Sequence, residues 1–264
     1  MKRAAFSLVE LIVVIGLITF LLAITAPALQ SSRKQAESVL CSSNIKQLLI
    51  GLFTYESENE TLPYGFDDTP MNAPSGDYPG NHNCDRMGWW WFNYIKDYYS
   101  RSRDKKQVLW CPCRQIRKPE LDSELHGNYG VNQSICKSAT GRKSRAEFIG
   151  TPLRTTELSH PGQTLLIVDS GYSIINWWHA ADKPPLVLGN TMIEDTAYVP
   201  GLKINTERKL WSGQEQDAIN GRHPNKTVNI GFADGCIDRK RADELLVEKT
   251  GDTYKNRSPL WLPK

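Results

Sequence analysis

An uninterrupted apolar run close to the N-terminus constrains this chain more than any other feature. The sequence opens MKRAAFSLVELIVVIGLITFLLAITAPALQSSRK, and from Leu11 to Leu29 it carries no charged residue. As an α-helix, a run of about nineteen residues rises about 28 Å, close to the hydrocarbon thickness of a bilayer. Lys2 and Arg3 precede it, and a basic flank keeps the start of the chain in the cytoplasm and sends the rest outside. The whole chain has 264 residues, enough for one or two domains with a packed core. Its 32 Lys+Arg against 29 Asp+Glu leave a formal net charge of +3, a balance that argues against a dedicated nucleic-acid binder. Mean hydropathy is negative, which excludes a polytopic membrane protein.

Three readings of the run compete: a plain signal anchor, a cleaved secretory signal ending at the small-x-small step Ala26-Pro27-Ala28, and a segment that later packs against its own kind. Glu10 separates them. A carboxylate inside an apolar span is costly in lipid and is expected to have a partner. The first two readings give it none.

FSLVELIVVIG, with Glu10 fifth from Phe6 after a short basic leader, resembles the class III signal of type IV prepilins and type II secretion pseudopilins. The resemblance implies cleavage between Ala5 and Phe6 and N-methylation of Phe6. Ala5 stands where the family usually has Gly. It also implies that Glu10 pairs with the Phe6 amine of a neighbouring subunit during assembly, because a buried carboxylate needs an opposite charge. Pro27 falls where many pilins carry a helix-kinking proline. The implied organisation is a leader over 1–5, a transmembrane and amphipathic helix over 6–60, and a periplasmic head over 61–264. The implied partners are other pilin or pseudopilin subunits, a prepilin peptidase, an inner-membrane assembly platform and membrane lipid, with no nucleic acid.

After the apolar run, Cys41, Ile45, Leu48, Leu52 and Tyr55 repeat every three or four residues, which predicts an amphipathic helix with one broad apolar stripe. One helix is therefore expected from Phe6 to about Glu58, with a kink possible at Pro27. Its second half should pack on a head and its first half should protrude. The words CSSNIKQ and, near the C-terminus, His223 with Asp234-Gly235 are similar to two blocks of a large prepilin-like family whose C-terminal motif is His-x9-Asp-Gly. Here ten residues, not nine, separate His223 from Asp234.

The expected fold class is α+β and pilin-like, the long helix lying on an antiparallel sheet. Thr164 to Ser170 reads as a buried strand. Val228, Ile230 and Phe232 alternate with Asn229, Gly231 and Ala233, which predicts a half-buried strand. Asp234-Gly235 predicts a type I′ hairpin turn into a return strand at Cys236 and Ile237. A helix is expected to begin at the Trp89-Trp90-Trp91 run and end near Tyr99, and a closing helix over 242–248. With Trp177 and Trp178, the three tryptophans either fill the core or form a ligand-stacking surface.

Six cysteines, at 41, 84, 111, 113, 136 and 236, allow fifteen pairings. Cys41 is either a small apolar residue on the helix stripe or a disulfide partner of the head. Since the class III signal places the head where disulfides persist, at least one bridge is expected from the 111–113 step to Cys41, Cys84 or Cys136. A zinc site needs a second ligand pair, and no Cys-x2-Cys is present, so no metal is expected there. Asp234 and Asp238 are candidate oxygen donors for a structural Ca2+, although no carboxylate-rich loop surrounds them. His223 with Asp234 could be an acid–base pair, and Cys111 or Cys236 a nucleophile. No motif of a known catalytic class accompanies them, and no enzyme is expected. The function implied is a structural subunit of a type II secretion pseudopilus or type IV pilus-like filament, drawn from the bacterial inner membrane, with the head in the periplasm or outside the cell. The alternative is a displayed adhesin or carbohydrate-binding protein.

Overall fold

The computed structural model describes residues 8–69, 88–98, 106–141, 146–184, 196–255 and 261–263. The proposed cleavage and methylation site at Ala5 and Phe6 lies outside the described residues, as does Cys84. Helix α1 spans Leu8–Asn59 without interruption, through Pro27. This matches the helix expected from the apolar run and its amphipathic continuation. Leu8 to Ile24 and Leu29 expose their large side chains, whereas Ser38, Cys41, Ile45, Leu48, Leu49, Gly51 and Leu52 are buried. The boundary is physical. Before Glu37 none of the described residues covers the helix, and from Ser38 onward one stripe lies on the sheet. Burying each large apolar side chain of that stripe contributes about 1.5–3 kcal/mol, enough to hold the helix to the head.

Two short strands, β1 (Phe66–Asp67) and β2 (Trp89–Trp90), pair antiparallel ahead of a one-turn helix α2 (Trp91–Tyr94). The expected longer helix ends early, since the backbone at Ile95 leaves helical geometry. Helix α3 spans Lys106–Leu109. The main sheet contains β3 (Tyr129–Asn132), β4 (Leu165–Asp169), β5 (Ile174–Ile175), β6 (Thr227–Phe232) and β7 (Ile237–Arg241), in the order β5-β3-β4-β6-β7. All neighbours are antiparallel except β3 and β5. Helix α4 (Glu215–Asn220) lies between β5 and β6 in the chain, and a small hairpin of β8 (Lys249–Thr250) and β9 (Thr253–Tyr254) closes it. The architecture is thus α+β, a long apolar N-terminal helix on a mostly antiparallel sheet.

Strand β6 is buried on both faces, not one. Val228, Ile230 and Phe232 join an apolar cluster with Trp177, Trp178 and Trp261, while the opposite face meets α1. The alternation was real, but its polar and small members face a helix instead of water. Gly231 is where that helix comes closest: a β-carbon there would lie 2.7 Å from Ile167 Cγ2, 2.8 Å from Leu49 Cδ1 and 2.9 Å from Ile45 Cγ2. Polar bonds fix the docking. Ser42 Oγ donates to Asn229 Oδ1 at 2.7 Å, Lys46 Nζ to the Gly235 carbonyl at 2.8 Å, and the Thr155 N–H to Glu56 Oε1 at 2.6 Å.

Two turn expectations are corrected. Gly235 has φ +87° whereas Asp234 is not left-handed, so the hairpin is not type I′. Gly235 N–H donates to the Phe232 carbonyl and Phe232 N–H to the Cys236 carbonyl, the pattern of a type I turn closed by a glycine bulge. The extra loop residue supplies the strand twist that a two-residue loop would take from two left-handed residues. The closing helix over 242–248 is a single 3-10 turn, Ala242–Leu245, since the chain then turns extended at Leu246.

Candidate metal centre

The fold gathers four side chains that are far apart in sequence. Cys41 comes from the buried stripe of α1, two turns before Leu48. Cys111 and Cys113 come from the turn after α3, where the Arg114 N–H donates to the Cys111 carbonyl at 3.0 Å. Pro112 between them is exposed, so both thiols fall on the inner side of the turn. The Cys111 N–H is held by Asn128 Oδ1 at 3.1 Å. His223 comes from the extended residue that follows α4 and leads into β6. Cys41, Cys111, Cys113 and His223 are exposed by 0, 3, 9 and 4%, and their donor atoms all lie within 4.8 Å of one another. Cys41 Sγ and Cys111 Sγ are 3.0 Å apart.

A polar shell orients the imidazole. His223 Nε2 donates to Asp169 Oδ2 at 2.9 Å, and Asp169 is the last residue of β4. The same oxygen accepts the Asn229 backbone N–H at 2.7 Å and its side-chain amide at 3.2 Å. With Nε2 so engaged, Nδ1 is the free ring nitrogen. It is buried and makes no hydrogen bond. Burial opposes charge on both partners of this pair, yet their mutual attraction outweighs it. The Asp169 carboxyl is held below the usual carboxylate range, and the His223 imidazolium well above its usual one. Burial pushes the Cys111 thiol up to about 11.

Those directions bear on chemistry. Cys111, His223 and Asp169 have the residue types of a nucleophilic triad. A catalytic thiol, however, is accessible and has a lowered pKa, whereas Cys111 is buried and its pKa is raised. The depression of about 400 Å3 lined by Phe53, Glu56, Thr155, Thr156, Pro161, Ala233 and Asp234 shares no residue with the cluster. The arrangement is a closed set of four soft and borderline donors.

The sequence-derived sites fall as follows. The cysteines at 41, 111, 113, 136 and 236 carry free thiols, so the expected bridge from the 111–113 step is absent among the described residues. Of the three partners offered, Cys41 lies beside the 111–113 step, Cys136 is in the same core but outside the group of four donors, and Cys84 lies outside the described residues. The argument against a metal assumed that a second donor pair would stand at a local spacing. Cys41 and His223 could supply such a pair from distant segments, where no local spacing announces it. His223 and Asp234 form no pair. They lie beyond opposite ends of β6, and Asp234 caps the Cys236 N–H at 2.8 Å. Asp238 pairs with Lys240 and belongs to no cluster of three or more metal-ligating side chains among the described residues. Trp90, Trp91, Trp177 and Trp178 are buried, and Trp89 is half-buried. Asp169, Asn229 and Asn128 were missed as site residues. The only signal was an acidic residue ending a buried strand. No family model, no curated protein and no solved structure matches the chain.

Proposed function

We propose that this chain is a pilin-like structural subunit, held in the bacterial inner membrane by α1 before it joins a pseudopilus or pilus-like filament. The observation that carries this reading is the division of α1. Its first half is an apolar helix exposed all round and long enough to cross a membrane, and its second half is embedded in a folded head. A head with a projecting apolar helix has two ways to cover it, lipid and the equivalent helices of other subunits. Stacking through such a helix is heterologous, so it propagates instead of closing. Glu10, exposed on the projecting part, is a liability in lipid and an asset beside the Phe6 amine of another subunit. The display reading is supported less, because the tryptophans at 90, 91, 177 and 178, four of the five it relied on, are buried in the core.

Processing is the direct test. Intact-mass analysis of the native protein should give an N-terminus at Phe6 bearing one added methyl group. An N-terminus at Leu29 would mean a cleaved secretory signal and would end the filament reading. Assembly is the second test. Glu10→Ala should insert and fold normally but enter filaments poorly when co-expressed with the wild type. Equal crosslinking of both forms into filaments would show that the carboxylate plays no part in assembly.

A further inference from the structure

The geometry points to a structural Zn2+ site built by Cys41, Cys111, Cys113 and His223, which pins α1 to the head at the point where the helix emerges from it. This inference rests on the contact between the buried half of α1 and the head, and stands or falls independently of the filament reading.

The donor chemistry comes first. Three thiolates and one imidazole are the ligand set of a structural zinc centre, with Zn–S about 2.3 Å and Zn–N about 2.0–2.1 Å in a tetrahedron. Those bond lengths place neighbouring donor atoms roughly 3.5–3.8 Å apart. The four donors here lie within 4.8 Å of one another and need only small side-chain adjustments to meet a common centre. Tetrahedral sites of sulfur and nitrogen favour zinc over the oxygen-seeking Mg2+ and Ca2+. All four donors belong to the protein and all are buried, so no position is left open for water or substrate, which makes the site structural and not catalytic.

The second observation is the imidazole. A ligating His commonly donates its other ring N–H to a carboxylate, which fixes the ring and raises its basicity. Asp169 accepts from His223 Nε2, and two Asn229 N–H groups hold Asp169 in turn. The ring nitrogen left over, Nδ1, is buried without a hydrogen bond. A disulfide between Cys41 and Cys111 would account for two of the sulfurs. It would leave Cys113, the oriented His223 and its unsatisfied Nδ1 without a purpose. One bound cation engages all four. On binding, Zn2+ displaces a proton from each thiol and any proton on Nδ1, and four donor bonds form without change of oxidation state.

The third observation is position. Cys41 lies one turn beyond Ser38, the first buried residue of α1, and every described residue before Glu37 is exposed. A metal there ties the base of a long lever to the turn after α3 and to the segment entering β6. It closes loops that span residues 41–111 and 113–223. Force applied along α1 would pass into the sheet through metal–ligand bonds as well as through packing.

The test uses the full chain in detergent. Purified under reducing conditions without chelator, it should contain about one zinc per chain by elemental analysis. Refolding with Co2+ should give the intense visible bands and the near-ultraviolet thiolate charge-transfer band of a tetrahedral sulfur-rich site. Cys41→Ser should lose both signals. Asp169→Asn should keep the site but weaken zinc affinity by roughly tenfold to a hundredfold. Cys236→Ser, which alters an exposed thiol outside the cluster, should leave the metal content unchanged. If Cys41→Ser fails to fold, thiol alkylation of the wild type with and without chelator replaces it. Cys41, Cys111 and Cys113 should be protected together and released together by the chelator. Zinc-free protein after reconstitution, a Cys41–Cys111 disulfide in the native chain, or another metal at full occupancy would each overturn the assignment.

Discussion

Arg222→Met should destabilise the head by about 3–5 kcal/mol, the usual effect of breaking a buried ion pair from one side. Arg222 and Asp217 are both fully buried, and the guanidinium meets the carboxylate side-on. Nε donates to Asp217 Oδ1 at 2.8 Å, and Nη2 donates to Oδ2 at 2.7 Å. The same side chain donates to the carbonyls of Asn128 and Ser170, each at 2.7 Å. Asp217 in turn accepts the Tyr198 hydroxyl at 2.9 Å and the Gln115 N–H at 3.0 Å. Methionine fills most of the space but leaves a buried carboxylate without its cation and takes one donor each from the Ser170 carbonyl and the Asn128 carbonyl, the latter keeping the Ser170 N–H. A midpoint drop of about 10 °C in thermal unfolding, followed by near-ultraviolet circular dichroism of the full chain in detergent, is the expected reading. Arg222→Lys should recover only part of it, since one ammonium cannot replace the planar fork and reach both carbonyls. A loss below about 1 kcal/mol for Arg222→Met would show that the network is held by its other members. Because Arg222 directly precedes His223, the same network sets the approach of that imidazole to the cysteines.

Gly231→Val separates sequence reasoning from structural reasoning by sign. Glycine is a poor strand residue and valine a good one, so propensity alone predicts stabilisation. The packing predicts the opposite. Ile167, Leu49 and Ile45 already occupy the space that even a β-carbon would need, and two of the three sit on α1. Overpacking of this kind costs about 1–3 kcal/mol, and valine, with two further methyl groups, should fall at the upper end. The damage should localise at the helix–sheet contact. Amide hydrogen exchange in residues 45–52 should speed up more than in β4, which is buried on both faces. An unchanged or raised stability would show that α1 can shift outward at little cost.

The long helix was legible in the sequence because its determinants are local. A charge-free run of bilayer length and a stripe repeating every three or four residues depend only on residues within a few turns of one another. For the same reason β4, with its branched apolar run, could be read directly. The hairpin was placed correctly, but its turn type was not. One left-handed residue or two is decided by whether the loop closes with two residues or three, and Asp234-Gly235 fits both. Strand β6 was expected to be half-buried and is covered on both faces, because alternation says which residues share a face and not what covers it.

The metal centre shows the limit most plainly. Cys41, the 111–113 pair and His223 carried no joint signal, since each lies in a different element. A spacing rule applies only where neighbouring ligands share one loop. What joins them is the docking of α1 across the sheet, the turn after α3 and the placement of Asp169 at the end of β4 next to His223. By itself the sequence determined which segment is a helix, that it is long enough to cross a membrane, and which of its faces is apolar. Only the tertiary structure decided which surface that face meets and which distant side chains arrive together, because burial and coordination are set by contacts between segments, whereas periodicity records only contacts within one.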